Sequence, residues 1–261
     1  MSRLHLFEIQ DHPWCPRRWR DCMTELMRWS VERLRIYDAV LPQLQRLLAH
    51  ANSHKIVDLC AGGAGPWRRL APALSSLSGA PVQILLTDKY PNHASMQQAR
   101  DASAHQIDFI ATSVDATQVP ASLQGARTLF SSFHHFRPDV ARAVLRDAAL
   151  SGTPIGVFEF TERSAFACVG MLFAPLVALL VVPFLRPFSI WRLLSCWPLP
   201  FVPLIATWDG LVSNLRSYSV DELQSLVADI KLPNYHWEIG RTTASAQRLA
   251  VTYLLGLPRR A

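Results

Sequence analysis

The chain has 261 residues, half of them hydrophobic, and carries a formal net charge of +6. This length can bury a substantial core, and the modest charge permits contact with anionic lipid or nucleic acid without requiring either. The five cysteines form neither a disulfide framework nor metal-type pairs, so we expect a reducing compartment and no metal site. The charged N-terminus shows no cleavable signal sequence.

The first stretch, residues 3–50, is helical in character. Apolar residues recur at helical spacing from Arg17 to Leu48, with a break expected at Leu41-Pro42. Tryptophans and arginines are interleaved along it. Two interpretations stay open: helices packed on the core with snorkelling arginines, and a cap over a substrate site that partly faces a membrane.

A short apolar run, Lys55 to Asp58, then opens into a loop of small residues, 60–65, followed by a predicted helix. A strand, a glycine-rich turn and a helix together form a cradle for a nucleotide-type ligand, because small residues let the backbone approach it. The glycine spacing does not match the dinucleotide fingerprint Gly-x-Gly-x-x-Gly.

Two more buried-strand patterns, 81–88 and 108–116, contain the acids Asp88 and Asp115. Asp88 follows Gly65 by about 20 residues, the gap at which a carboxylate binds ribose hydroxyls. Three successive strands that end near acids predict a ligand site at one edge of the sheet.

Strand and helix patterns continue to alternate along the chain, which predicts an α/β fold with a parallel sheet covered on both faces. The expected elements are strands in 126–136 and 153–160, helices 138–150 and 220–230, and late strands 235–239 and 248–255.

Residues 164–208 interrupt this alternation with an apolar segment that has two charges, Arg186 and Arg192, and no acid. The run 165–185 has the roughly 20 residues of a membrane helix, but prolines interrupt it. The strands before and after must join one sheet, which excludes an odd number of crossings. Two crossings would place Arg186 on the far side and leave backbone groups unsatisfied in lipid.

Two interpretations of this segment remain: a re-entrant or interfacial helical hairpin, or a hydrophobic lid buried within the protein or a homodimer. Trp191, Trp197 and Trp208 are typical of a membrane interface. An apolar wall of this size at the substrate end of the sheet favours a hydrophobic substrate.

Asp58, Gly62 and Gly65, with the acids that follow, make the chain resemble the class I S-adenosylmethionine-dependent methyltransferases. Their first loop reads acid-x-Gly-x-Gly-x-Gly, and this chain has Cys60 and Ala64 where the family has glycines. The resemblance implies a doubly wound, mostly parallel seven-stranded sheet with a final hairpin. It divides the chain into an N-terminal helical cap (1–50), a cofactor-binding core (51–163), a hydrophobic membrane-associated insertion (164–208) and the remainder of the core (209–261).

The resemblance also implies the cofactor, S-adenosyl-L-methionine, and its binding residues. Asp88 would bind the ribose, Asp115 the adenine, and Tyr90 could stack on the ring. The implied cofactor-binding residues are Asp58, Cys60, Ala61, Gly62, Gly63, Gly65, Asp88, Lys89, Asp115, Ala116 and Ser132.

His134 and His135 follow the fourth strand, as a histidine pair does in the small-molecule and quinone branch of the family. Either could accept a proton near neutral pH; alternatively, one of them hydrogen-bonds the backbone. Glu159 is an acid in an apolar strand and needs a partner, for which Arg163, Arg216 or a ligand are candidates. Asp209 and Arg216 are expected either to form an ion pair or to orient a polar head group.

We therefore expect a methyltransferase of a hydrophobic small molecule or lipid, peripheral or monotopic at the cytoplasmic face of a membrane. A macromolecular acceptor is an alternative, but a nucleic acid is disfavoured because basic and aromatic residues are interleaved only in the N-terminal helices. A third hypothesis is a membrane-anchored scaffold that keeps the fold without catalysis.

Overall fold

The computed structural model describes residues 2–185, 188–197, 200–243 and 250–259. The chain forms two compact units. The sheet unit comprises residues 34–160 and 220–261, and the helical unit comprises residues 1–33 and 161–219.

The sheet unit contains seven strands in the order β3-β2-β1-β4-β5-β7-β6. The first five are parallel, and β7 runs antiparallel between β5 and β6. This architecture confirms the predicted α/β class and the mostly parallel seven-stranded sheet with its final hairpin. The strands are β1 Lys55–Asp58, β2 Gln83–Leu86, β3 Ile107–Phe109, β4 Ala126–Phe130, β5 Ile155–Glu159, β6 Tyr235–Thr243 and β7 Ala250–Pro258.

Helices cover this sheet and build the helical unit. They are α1 Arg17–Arg33, α2 Leu41–Ala51, α3 Trp67–Ser78, α4 His93–Asp101, α5 Pro138–Leu150, α6 Ala165–Met171, α7 Ala174–Val181, α8 Ile190–Leu194, α9 Phe201–Arg216 and α10 Val220–Val227. The expected break at Leu41-Pro42 coincides with the start of α2, where Pro42 occupies the first turn and needs no hydrogen-bonded N–H.

Several expected strands differ in length from the structure; β6, for example, continues past the expected end at 239 to Thr243. The third was expected over 108–116, but β3 ends at Phe109, and Asp115 lies in the loop that follows. The Val114 N–H in that loop donates to the Asp88 carbonyl oxygen at 3.0 Å, which directs the chain back across the end of β2. The last strand was expected over 248–255; residues 248 and 249 lie outside the described part of the chain, and β7 continues to Pro258.

The core of the sheet unit follows from the apolar runs of its strands. All five residues of β5 are buried, as expected for a strand covered on both faces. Helix α2 buries Leu44, Leu47 and Leu48, and the α5 residues Val144 and Leu145 are also buried; this spacing places them on one face of each helix.

The helical unit has a small core of its own, shared by α1 and the segment after β5. It contains Cys15, Cys22, Met23, Val182, Leu185, Cys196, Val202 and Ile205. Arg192, one of the two charged residues in 164–208, is buried here and pairs with Glu25 of α1 at 2.8 Å. Helix α1 therefore packs with the apolar segment, whereas α2 belongs to the sheet unit.

A strap of N-terminal residues, Glu8 to Asp11, lies along α9. The Ile9 and Gln10 N–H groups donate to the Asp209 carboxylate at 2.7 and 3.0 Å. Arg216 Nη1 lies 3.1 Å from both Glu8 Oε1 and Asp11 Oδ2. Both residues therefore have partners in the strap, which differs from the expected mutual ion pair, and the head-group role stays a prediction.

Among the described residues, no single helix has the length and hydropathy needed to cross a membrane. One bent pair, Ala165–Met171 with Ala174–Phe184, meets both requirements jointly, with a 41° bend.

Candidate cofactor and catalytic site

The loop after β1 has a backbone conformation that glycine adopts most easily. Cys60, Gly62, Ala64 and Gly65 have φ angles of 56°, 51°, 78° and 52°, all in the left-handed region. Residues with a Cβ rarely adopt this region, because the Cβ crowds the following carbonyl oxygen. Cys60 and Ala64 thus retain the turn of a glycine-rich loop without being glycine.

Asp58, the last residue of β1, is buried beneath this loop. Thr128 Oγ1 donates to Asp58 Oδ1 at 2.6 Å, and Oδ2 faces Gly65, where an added Cβ would lie 3.6 Å away. Burial raises the pKa of Asp58 to about 7; the Thr128 hydrogen bond opposes this shift, and the charge of Asp88 adds to it. Asp58 thus supports the loop from inside.

Asp88 connects the loops that follow β1 and β2. The Gly62 N–H donates to Asp88 Oδ2 at 2.9 Å, and the Tyr90 N–H donates to Oδ1 at 2.8 Å. A carboxylate has about four acceptor positions, so Asp88 can accept further hydrogen bonds from a ligand. Tyr90 is exposed.

Asp115 is held ionised at the third loop. Lys89 Nζ lies 2.8 Å from Oδ2, and the Thr117 N–H and hydroxyl both donate to Oδ1. The Lys89 hydrogen bond, assisted by those from Thr117, lowers the pKa of Asp115 to about 2. Its neighbour Ala116 is buried.

The thiol of Cys60, in the loop after β1, is affected by the negative charges of all three acids. Burial raises the pKa of its thiol, and the negative charges of Asp88, Asp58 and Asp115 raise it further. The Gly62–Asp88 hydrogen bond and the Lys89–Asp115 ion pair connect the loops that follow β1, β2 and β3.

A second group of polar residues follows β4. His134 Nδ1 lies 2.6 Å from Glu159 Oε2, and the Phe133 N–H donates to Glu159 Oε1 at 2.7 Å. Burial alone would raise the pKa of Glu159, but the charge and hydrogen bond of His134 and the Phe133 N–H together lower it. Glu159 thus pairs with His134, a partner that the sequence did not suggest, because the two strand ends are neighbours only in the folded sheet. Arg163, Arg216 or a ligand as a further partner stays a prediction.

The remaining candidates lie beside this pair. The rings of His134 and His135 are 4.4 Å apart, and His135 is half-buried. The Ser132 hydroxyl oxygen is buried and has no hydrogen-bond partner among the residues that the structure describes.

Tyr37 is a buried residue that the sequence did not identify as part of the site. Its hydroxyl lies 2.5 Å from Ser131 Oγ. Burial raises its pKa well above the usual value, and the charges of Glu159 and Asp58 contribute in the same direction. Tyr37 therefore lies beside the end of β4, where its ring centroid is 4.8 Å from that of Phe130. It precedes β1 in a 3-10 turn, Ile36–Val40, and no motif marks it.

Comparisons with known proteins give similarity at the level of the fold. No protein-family model matches the chain, and a search of curated proteins finds no match. Among solved structures, the chain is similar to an O-methyltransferase family protein from Burkholderia thailandensis, with 14% identity, a TM-score of 0.51, and coverage of 91% of this chain and 60% of that one.

Two further similar structures are a putative O-methyltransferase from Nostoc punctiforme and human N-acetylserotonin methyltransferase in complex with SAM. Both have 12% identity and a TM-score of 0.49. The match with the Nostoc protein covers 89% of this chain and 59% of that one, and the match with the human enzyme covers 93% of this chain and 56% of that one. The chain thus spans between 56% and 60% of the length of these three structures. With its strand order and antiparallel β7, the chain has the fold of the class I S-adenosylmethionine-dependent methyltransferases.

Proposed function

We propose that this chain is an S-adenosylmethionine-dependent methyltransferase that acts on a hydrophobic small molecule or lipid at the cytoplasmic face of a membrane. The observation that carries the proposal is the placement of three acids at the left-handed loop after β1 and the loops beside it. Asp58 faces Gly65, Asp88 accepts from the Gly62 N–H, and Asp115 pairs with Lys89, the residue after Asp88. In an open α/β sheet, ligands bind outside the carboxyl ends of the strands, where these residues lie.

The residues present fit an adenosyl ligand. A Cβ added at Gly62 would meet nothing within 4 Å, so a ligand can approach the backbone there. Asp88 has acceptor capacity for ribose hydroxyls, Asp115 is available to the base, and the Ser132 hydroxyl supplies a buried polar group without a partner among the described residues. When bound, S-adenosylmethionine supplies an electrophilic methyl carbon.

The pair formed by His134 and Glu159 supports a role in proton transfer. Since Glu159 is ionised, the His134 Nδ1 atom at 2.6 Å carries the proton between them. In the neutral form of the ring, the other nitrogen, Nε2, would carry the lone pair. With a donor bound, Nε2 would take the proton that a nucleophile loses as the methyl group passes from the sulfonium sulfur to it, leaving S-adenosylhomocysteine, and Glu159 would stabilise the resulting imidazolium.

The hydrophobic character of the acceptor is supported by the helical unit, considered by itself. Phe166, Phe173, Leu180 and Phe184 all have most of their surface exposed. Contiguous exposed apolar patches larger than a few hundred Å² are rare in soluble monomers, and they mark interaction or membrane surfaces. A membrane-resident acceptor accounts for both this surface and the methyltransferase fold.

Calorimetry with S-adenosylmethionine tests the donor site. We expect Asp88→Ala to weaken binding by about 10- to 100-fold, since hydrogen bonds to a charged group are lost. The matched control is Asp108→Ala, which removes an exposed acid of β3 that pairs with Arg100 at 3.5 Å. Equal affinity in the two variants would contradict the ribose role of Asp88, and no donor binding by the wild type would favour the scaffold hypothesis.

The acceptor is identified by incubating the protein with methyl-labelled donor and extracts of lipids and quinones. Label in an apolar extractable product supports the proposal. Label confined to protein or nucleic acid would favour the macromolecular alternative.

A further inference from the structure

We propose that the helical unit is a monotopic anchor for bilayers with anionic headgroups, in which α6 and α7 enter one leaflet and the arginines at the start of α1 bind the headgroups. The inference rests on the proposed function, because it names the surface from which the acceptor would be taken. Its test requires neither donor nor methyl transfer.

Several large apolar side chains of α6 and α7 are exposed. Helix α7 buries Ala178, while Leu176, Val177 and Leu180 are exposed. Phe166 on α6 is 87% exposed, and Phe184 after α7 is 80% exposed. A helix that is apolar on all sides is normally buried in a core or in lipid. Neither helix reaches that state within its own unit.

The lengths of the two helical segments, α6 and α7 with the turn that follows α7, favour insertion into one leaflet. At about 1.5 Å per residue, Ala165–Met171 spans roughly 10 Å and Ala174–Phe184 roughly 16 Å. The hydrocarbon core is about 30 Å thick, so neither segment alone can cross it. Their 41° bend coincides with Pro175 in the first turn of α7, where proline is compatible with a helix start.

Aromatic and basic groups meet at the edge of this apolar surface. The Arg18 guanidinium carbon lies 4.6 Å from the ring centroid of Trp191, a residue of α8. Trp191 is more than half exposed, and Trp14 and Trp197 are also exposed. Tryptophan prefers the headgroup level of a membrane, and a neighbouring arginine reaches the phosphates.

The charge distribution favours anionic lipid. Residues 164–208 contain no acid, and Arg192 is neutralised internally by Glu25. On α1, Arg17 and Arg18 are exposed, and the contact of Arg17 with Asp21 is long, at 3.9 Å. The apolar surface therefore has a cationic edge, which complements anionic headgroups.

Co-sedimentation of the full chain with vesicles tests the inference. One set of vesicles is phosphatidylcholine, and the other contains equal parts of phosphatidylcholine and phosphatidylglycerol. We expect stronger binding to the second set, and we expect Arg17→Gln with Arg18→Gln to reduce only that excess, by about tenfold. Arg100→Gln, an exposed arginine of the sheet unit, is the control.

Polar substitutions test the inserted helices. Phe166→Ser, Leu180→Ser and Phe184→Ser together should abolish sedimentation with both sets of vesicles, whereas Leu150→Ser, an exposed leucine of α5, should not. The inference is overturned if the wild type sediments with neither set. It is also overturned if light scattering shows a dimer that only the serine variant dissociates, which would identify a second copy as the partner. Unchanged donor binding in all variants separates either failure from failure of the proposed function.

Discussion

Gly62 combines a left-handed backbone conformation with open space at the Cβ position. Its φ is 51°, and a Cβ there would meet nothing within 4 Å. Gly152, after α5, has the same properties, with φ 62° and nothing within 4 Å. Substitution of either glycine therefore introduces the same conformational strain, but only a substitution at Gly62 would also affect a ligand bound at the loop after β1.

We expect Gly62→Ala and Gly152→Ala each to lower the free energy of unfolding by about 1 kcal/mol, because each forces a Cβ into a left-handed conformation. Gly62→Ala should in addition weaken binding of S-adenosylmethionine. Urea unfolding and calorimetry measure the two effects. Equal donor affinities would mean that the ligand does not approach the loop at Gly62.

Asp58 should make stability depend on pH. Its pKa in the folded state is raised to about 7, whereas an unperturbed aspartate has about 3.9. The folded state therefore binds more protons between these values, and the free energy of unfolding falls as pH rises from about 4 to about 7.

The slope of that fall approaches 1.4 kcal/mol per pH unit, and Asp58→Asn should remove it while keeping an oxygen for the Thr128 hydroxyl. Urea unfolding of the ligand-free protein at several pH values measures the slope. Asp108→Asn, at an exposed acid, should leave it unchanged. An unaltered slope in the Asp58 variant would assign the proton uptake to another group.

At the scale of elements, the adjacent ends of β4 and β5 create the pair between His134 and Glu159. We expect His134→Asn and Glu159→Gln each to lower turnover by about 10² to 10⁴, the usual range for a lost proton acceptor, with donor affinity unchanged. His105→Asn, at an exposed turn, is the control. For each variant, turnover is measured by methyl transfer and donor affinity by calorimetry.

A structural role alone would give a different pattern for this pair. Loss of one partner of a buried pair destabilises by about 3–5 kcal/mol, so the unfolding transition is checked for each variant. If turnover persists at wild-type level in a folded His134 variant, the proton acceptor is another group.

Local sequence patterns predicted the helices and strands well, but they did not predict which elements contact one another. Apolar runs identified the strands, because a parallel strand buried on both faces is continuously apolar. The strand expected over 108–116 was too long, since apolar residues in a packed loop have the same pattern. The contact of Glu159 with His134 and the position of Tyr37 depend on strand order, which periodicity does not encode.

At the scale of the molecule, the two units differ in how they bury apolar residues. The sheet unit covers its strands with amphipathic helices, whereas α6 and α7 in the helical unit leave large apolar side chains such as Phe166 and Leu180 exposed. The sequence predicted the apolar character of 164–208 from its composition. It did not predict that α1 shares a core with this segment, since the relevant contacts join residues far apart in the chain.

That shared core has a consequence for synthesis. Cys22 and Val202 pack in the same cluster, yet the ribosome makes all of residues 34–160 between them. At a synthesis rate of 5–20 residues per second, roughly 10 to 40 s pass between the synthesis of α1 and that of the residues with which it packs. The apolar face of α1 stays uncovered throughout that interval, so the core of the helical unit can form only after the sheet-unit residues between its two parts have been made.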